Sequence, residues 1–367
     1  MSFITAIGTA NPAHRINQSV IADFMERAMV LKNGDHRKMR AVFKLSGIDY
    51  RHSVLQDYSR SSDFSFYANT ADMLPFPTTE DRLKVFHEQA LQLSCASVEN
   101  LLAQYPGFNL GAITHLVVVC CTGMYAPGLD IDIVKHFGLR TTMQRTCINF
   151  MGCYAAFNAL KLANAFCSAD KKAKVLIVCT ELCSLHFQRE PTEDNLLANA
   201  LFADGSAAVL VEGETDRPLR LVPENFHSDI SLNSEKDMAW TVGNLGFEMK
   251  LSAYVPAIIQ RDIKKLTASL LEGIAKKIGD IRYFAIHPGG KRILEAIEAE
   301  LGITREQNAV AYNVLRNYGN MSSPTVLFVL KETMDQLTAA DNGEHILSFA
   351  FGPGLTLESM ILRIQNN

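Results

Sequence analysis

A weak internal duplication constrains this chain more than any other feature. The apolar run from His115 to Cys120 is followed by a Pro-Gly turn, a helical stretch and a loop containing Cys153. That loop opens a small-residue helix, Gly152 to Cys167, which leads into a strand from Lys174 to Cys179. The same order recurs later. A strand from Arg282 to Ile286 precedes Pro288-Gly289-Gly290, a helix, a loop containing Asn320, a helix from Ser323 and a strand from His345 to Ala350. The pairs Leu116 and Phe284, Cys153 and Asn320, and Val175 and Ile346 are separated by 168, 167 and 171 residues. Chance recurrence is the bland alternative in any alternating strand–helix chain, but three concordant spacings argue for two copies of one α/β unit. The predicted halves are residues 1–215 and 216–367, joined through the charged, Pro-containing stretch from Glu212 to Arg220. In that arrangement Cys153 and Asn320 are equivalent, each at the start of a buried central helix, and the pseudo-twofold brings them together.

Composition agrees with a large buried core. Of 367 residues, 48% are hydrophobic and 20% charged, too many for one minimal domain. Net charge is −4 with a pI near 6.2, which removes any global electrostatic case for binding nucleic acid or an anionic membrane. A phosphate-bearing ligand then requires a local basic cluster. Met1 to Ala10 reads as a short strand rather than a signal peptide, and no apolar run reaches spanning length; a cytoplasmic protein is expected. The eight cysteines lie mostly in apolar runs, as reduced thiols do, and no Cys/His set has zinc spacing. No metal is expected.

Three residues carry candidate chemistry. Cys153 stands in Asn149-Phe150-Met151-Gly152-Cys153-Tyr154 at a helix start, where partial positive charge and free N–H groups favour thiolate. Gly152 permits the tight entry. A buried structural thiol is the plainer alternative for an isolated Cys. His287 ends an apolar strand on a Pro-Gly-Gly loop, a position that faces a cleft and suits a thiolate–imidazolium pair. Asn320, in Gly319-Asn320-Met321-Ser322-Ser323-Pro324, is either a helix cap or a donor to a developing oxyanion.

Together the Gly-Cys helix, the His-Pro-Gly-Gly loop, the Gly-Asn-Met-Ser-Ser turn and the C-terminal Phe351-Gly352-Pro353-Gly354 resemble a type III polyketide synthase along nearly the whole chain. The proline is the discriminating piece, since relatives that condense carrier-protein substrates usually lack it. The resemblance implies an α/β thiolase fold with a five-layered αβαβα core. It also implies a homodimer, and acyl-CoA and malonyl-CoA as substrates with no cofactor. Cys153 would carry the acyl chain, while His287 and Asn320 would hold the enolate left by decarboxylation.

Further positions follow from the same resemblance. Phe202 matches a gatekeeper phenylalanine, and Met249 replaces a second one. Arg37, Arg40 and Lys44 fall where the family places its CoA-phosphate cations, on one helical face by their spacing. Gly289 and Gly290 would let the CoA arm pass close to backbone. Cys121, Ala126 and Cys183 are smaller than their plant counterparts, as in microbial alkylpyrone and alkylresorcinol synthases, and imply a tunnel for a fatty-acyl tail. His186 and Trp240 would fill the aromatic-starter pocket, and Ser322, Phe351 and Pro353 would line the same cavity. Two rivals share part of this pattern. One is a single-condensation ketoacyl-carrier-protein synthase of the same fold; the other is a non-catalytic thiolase-fold subunit, which would normally lack Cys153.

Overall fold

His115–Cys120 forms a strand whose six side chains are all buried, and this explains why its sequence is continuously apolar instead of alternating: both faces of the strand are covered. It belongs to a computed structural model that describes every residue except 33, 233–235, 253 and 367. The strands are β1 (Phe3–Ala10), β2 (His14–Asn17), β3 (Tyr50–Ser53), β4 (His115–Cys120), β5 (Gln144–Asn149), β6 (Lys174–Leu182) and β7 (Asp204–Glu212) in the first half. In the second they are β8 (Leu219–Ile230), β9 (Met238–Gly243), β10 (Gly246–Leu251), β11 (Tyr283–Ile286), β12 (His345–Gly352) and β13 (Thr356–Asn366).

Nine of them hydrogen-bond in the order β11-β12-β13-β8-β1-β7-β6-β4-β5. The duplication is visible in this order. In one half β4, β6, β7 and β1 are neighbours, with a parallel first pair and antiparallel pairs after it. In the other, β11, β12, β13 and β8 repeat that arrangement. The two sets meet through β1 and β8 at a single pair, Ile4 and Leu221. β5 adds an outer strand to the first half; four of its six residues are exposed and two half-buried, and its free edge is unpaired among the described residues.

The helices Ala155–Ala169 and Pro324–Asp335 occupy the middle layer. They share one apolar cluster with inward-facing residues of both strand sets, including Val117, Val209, Leu347 and Ile361. Alanines 155, 156, 159 and 163 are fully buried, and their small side chains let backbone layers approach closely. The helices Gln18–Ala28 and Thr79–Gln104 cover the opposite face of the first half through a second cluster. The helix Val255–Glu272 packs on β8 and β13 and against the helix Lys291–Leu301. These layers build the expected αβαβα sandwich. Among the described residues no helix is long and apolar enough to cross a membrane.

Candidate active site

The strand carrying Cys153 toward the centre ends in an unusual turn. Phe150 and Gly152 both have positive φ, 58° and 79°, and Cys153 sits in the single 3-10 turn Gly152–Tyr154 that enters the middle-layer helix. A Cβ on residue 152 would stand 2.2 Å from Cδ of Pro353, so only glycine fits between the cysteine turn and the Gly-Pro-Gly loop. The Gly152 N–H donates to Sγ of Cys121 at 3.0 Å.

His287 and Asn320 reach the same place from the second half. The His287 backbone N–H donates to Phe349 at 2.8 Å, extending the β11–β12 ladder by one residue. Its imidazole is buried, and neither ring nitrogen has a hydrogen-bond partner among the described residues. The ring lies beside Gly289, whose carbonyl accepts from Nδ2 of Asn320 at 3.3 Å. Oδ1 of Asn320 accepts from the Ser322 N–H at 2.8 Å, which aims the amide nitrogen inward with one hydrogen still free. The Asn320 backbone is tied on both sides of Phe202, donating to Leu201 at 2.9 Å and accepting from Ala203 at 2.8 Å. Ser322 and Asn320 side chains act directly on the Cys153 sulfur. Cys153 and His287 are thus linked through Asn320 and Gly289.

Ionisation differs from the thiolate expected at a helix start. Burial pushes the Cys153 thiol up to about 11, with the Ser322 and Asn320 hydrogen bonds pulling the other way. Burial alone holds the His287 imidazole down, to about 3. The helix-end field falls off within one turn and is outweighed by removal from water. Burial thus pushes both groups toward their neutral forms.

Two residues not singled out in the sequence support the site. Glu181, at the end of β6, is buried and accepts from the Cys121 N–H at 2.9 Å, the Thr122 hydroxyl at 2.7 Å and the Ser323 hydroxyl at 3.0 Å. It ties the cysteine and asparagine halves together. A lone acid inside the apolar run Val175 to Leu182 was the available signal. Arg51, from β3, donates Nη1 to the Phe202 carbonyl at 2.6 Å and Nε to Gln18 at 2.8 Å. Its stem also packs under Gly319, where a Cβ would meet Arg51 Cγ at 2.9 Å. Nothing local in the sequence marks that role.

Burial raises Glu181 to about 7 against its three donors. Its folded pKa lies above the unfolded value near 4.5, so the stability it contributes at low pH is lost as pH rises from about 4.5 to 7. The full loss is about 3 kcal/mol. Urea unfolding of Glu181→Gln beside the parent at pH 5 and pH 8 checks this: the parent should lose stability relative to the variant by that order, and a constant difference overturns it.

The cavity residues divide between two places. Phe202, Met249, Cys183, His186 and Trp240 line one small cavity of about 40 Å³. His186 donates Nε2–H to the Thr122 carbonyl at 2.7 Å, accepts at Nδ1 from Phe247 at 3.0 Å and stacks on that ring at 4.3 Å. Trp240 donates to the Cys121 carbonyl at 2.8 Å. Through these bonds the β9–β10 hairpin is latched to the backbone at Cys121 and Thr122. Cys121, Ser322, Phe351 and Pro353 lie instead around the Cys153 turn and the loop packed against it; Phe351 is 2% exposed. Ala126 lines neither cavity of the single chain. It sits beside the cis bond to Pro127 on an exposed loop with Met124, outside both cavities.

The basic helix presents its cations in different directions. A groove of about 340 Å³ runs to Gly289 and Gly290, and its helical wall is Lys38, Ala41, Val42 and Leu45. Arg40 turns the other way and pairs with Glu26 and Asp23. Arg37 is exposed and lines neither wall. Lys44 faces a separate depression. Spacing had placed Arg37, Arg40 and Lys44 on one face correctly, but Met39 and Phe43 bury against the body and rotate that face away from the groove.

Such a centre, a buried cysteine at a helix entry opposite an imidazole and a carboxamide from the duplicated half, defines a condensing acyltransferase of the thiolase fold. Residues 1–215 match the N-terminal domain of chalcone and stilbene synthases, and residues 227–365 match their C-terminal domain. The chain belongs to this family, the type III polyketide synthases. It is 32% identical over 99% of its length to the alpha-pyrone synthesis polyketide synthase-like Pks18 of Mycobacterium tuberculosis, covering 91% of that protein. The C-terminal type III domain of Steely1 from Dictyostelium superposes with a TM-score of 0.91 at 30% identity, over 100% of this chain and 99% of that one. PKS-I of the brown alga Ectocarpus siliculosus gives 0.91 at 29% identity, over 99% and 98%.

Proposed function

We propose that the enzyme loads a medium- or long-chain fatty acyl-CoA on Cys153, extends it with malonyl-CoA and releases an alkylpyrone or alkylresorcinol. The observation that supports this reading is that Asn320, which acts on the Cys153 sulfur, donates to the carbonyl of Gly289, and Gly289 with Gly290 lines the groove. Cys153 attacks the starter thioester as its proton passes to His287, and CoA leaves as the thiol with that proton. Malonyl-CoA then places its thioester carbonyl between His287 and the free N–H of Asn320. Breaking the bond to the carboxylate releases carbon dioxide and leaves an enolate on that oxygen. No separate base, metal or redox cofactor is required, because decarboxylation itself supplies the carbanion. The enolate carbon attacks the Cys153 thioester and sulfur departs as thiolate. Phe202, held beside Asn320, offers the malonyl carboxylate an apolar neighbour that disfavours its charge.

The fatty starter is supported by the small residues Cys121 and Cys183, by the unbranched, adaptable Met25 and Met249 in the cavity wall, and by the alpha-pyrone name of the mycobacterial relative. The exposed free edge of β5 together with exposed Met124 and Ala126 favours a homodimer. Each buried methylene is worth about 0.8 kcal/mol, so four extra methylenes correspond to roughly 10²-fold in kcat/KM. Incubation with malonyl-CoA and starters from acetyl- to palmitoyl-CoA, read by mass spectrometry, should show that gain up to decanoyl or beyond. A preference for acetyl or aromatic starters overturns the assignment.

A further inference from the structure

The first turn of the helix Thr79–Gln104 carries a cation that is wholly enclosed. Arg82 is 0% exposed, and among the described residues no carboxylate lies within ion-pair distance of it. Its donors go to backbone carbonyls: Nε to Pro77 at 3.1 Å, and Nη1 to Leu185 and, at 3.2 Å, to Phe187. Nη2 has no hydrogen-bond partner among the described residues, and the guanidinium carbon stands 5.3 Å from the centre of the Phe76 ring. Enclosing a charge without a counter-charge costs stability, so packing alone gives no reason for arginine at this position.

The reason lies in what the arginine holds. Leu185 and Phe187 flank His186 in the chain, so the two bonds to Nη1 fix the His186 backbone from both sides. The arginine stem and the His186 ring also close on one point of the β9–β10 hairpin. A Cβ on Gly246, where φ is 105°, would stand 2.9 Å from Arg82 Cδ and 3.2 Å from His186 Nδ1. Thr79, at the start of the same helix, holds the turn of that hairpin. Its N–H donates to the Asn244 carbonyl at 2.9 Å, and its hydroxyl donates to Gly243 and accepts from the Gly246 N–H at 2.9 Å. His186, Trp240 and Met249 line the small cavity beside Phe202, whereas neither Arg82 nor Thr79 does. One helix end thus anchors both the turn and the hairpin that build this wall.

We propose that Arg82 and Thr79 are positioning residues that set this wall, and with it which acyl starters the site accepts. The inference rests on the condensing reaction proposed above. Arg82 acts through His186, whose ring passes the constraint to the Thr122 carbonyl and the Phe247 N–H. Thr79 acts through the turn Gly243 to Gly246 and the strands that carry Trp240 and Met249. A planar fork is required at residue 82, because its bonds run to Pro77 through one nitrogen and to Leu185 and Phe187 through another. A lysine keeps the charge but presents a single nitrogen. Freed from either anchor, the wall yields and the pocket discriminates less between chain lengths.

The test measures kcat/KM for acetyl-, hexanoyl-, decanoyl- and palmitoyl-CoA, and malonyl-CoA decarboxylation without a starter. It compares the parent with Arg82→Lys, Arg82→Gln and Thr79→Val. Selectivity, the ratio of the best to the poorest starter, should fall roughly tenfold in both Arg82 variants and about threefold in Thr79→Val. Decarboxylation should stay within about twofold of the parent, because neither anchor bonds to His287 or Asn320. Unchanged selectivity overturns the inference. So does a fall by one common factor for every starter and for decarboxylation, which is what a purely structural role gives. Thr79→Val removes no buried charge, so it decides the matter should both Arg82 variants fail to fold. Each variant is compared with the parent's own profile. A parent that prefers acetyl-CoA would therefore remove the fatty-starter reading, while the change in ratio would still decide the role of this helix end.

Discussion

Cys153→Ala is expected to abolish condensation, by roughly 10⁴-fold or more, while leaving slow decarboxylation of malonyl-CoA intact. The two half-reactions use different atoms. In the proposed mechanism carbon–carbon bond formation needs the acyl group on sulfur, whereas the enolate needs only the donors His287 and Asn320. Alanine is a mild substitution at this position, because Cys153 is 4% exposed and loses one heavy atom. Its backbone constraints reside in Gly152 and are untouched. The measurement is carbon dioxide or acetyl-CoA release from malonyl-CoA alone, beside product formation with a starter present. Undiminished chain extension removes the nucleophile assignment, and loss of both reactions without unfolding removes the division of labour.

Asn320→Asp carries the second large effect. The carboxylate keeps the acceptor that meets the Ser322 N–H but replaces the Nδ2 donor with an oxygen that repels both the Gly289 carbonyl and a developing enolate. Loss of one oxyanion donor costs about 3–4 kcal/mol in comparable sites, a fall of 10²- to 10³-fold in decarboxylation and extension. Transfer of the starter to Cys153, followed by intact mass after incubation with acyl-CoA, should fall far less. Equal loss of loading and decarboxylation would show that Asn320 works through the shape of the turn alone.

Much of this centre was legible before any coordinates, and for local reasons. A continuous apolar run such as Val117 to Cys120 reports a strand covered on both faces. Glycine at residue 152 and the Pro-Gly-Gly after His287 report backbone that other residues cannot adopt. Each signal depends on near neighbours in the chain. Arg51 and Glu181 escaped because their roles depend on groups far away in sequence: Phe202 for one, Cys121 and Ser323 for the other.

The amino-acid sequence alone determined the duplicated order of elements and the pairing of Cys153 with Asn320 in it, and it named the three side chains proposed to react. Tertiary structure decided which face of Asp35–Leu45 looks into the groove and that Ala126 lies on an exposed loop. It also decided that burial pushes Cys153 and His287 toward their neutral forms, and that Lys44, Lys291, Arg305 and Arg316 surround one hollow. The division has one cause. Periodicity and turn chemistry are written by residues within a few positions of each other, whereas helix rotation, desolvation and charge clustering depend on whatever the rest of the chain packs alongside.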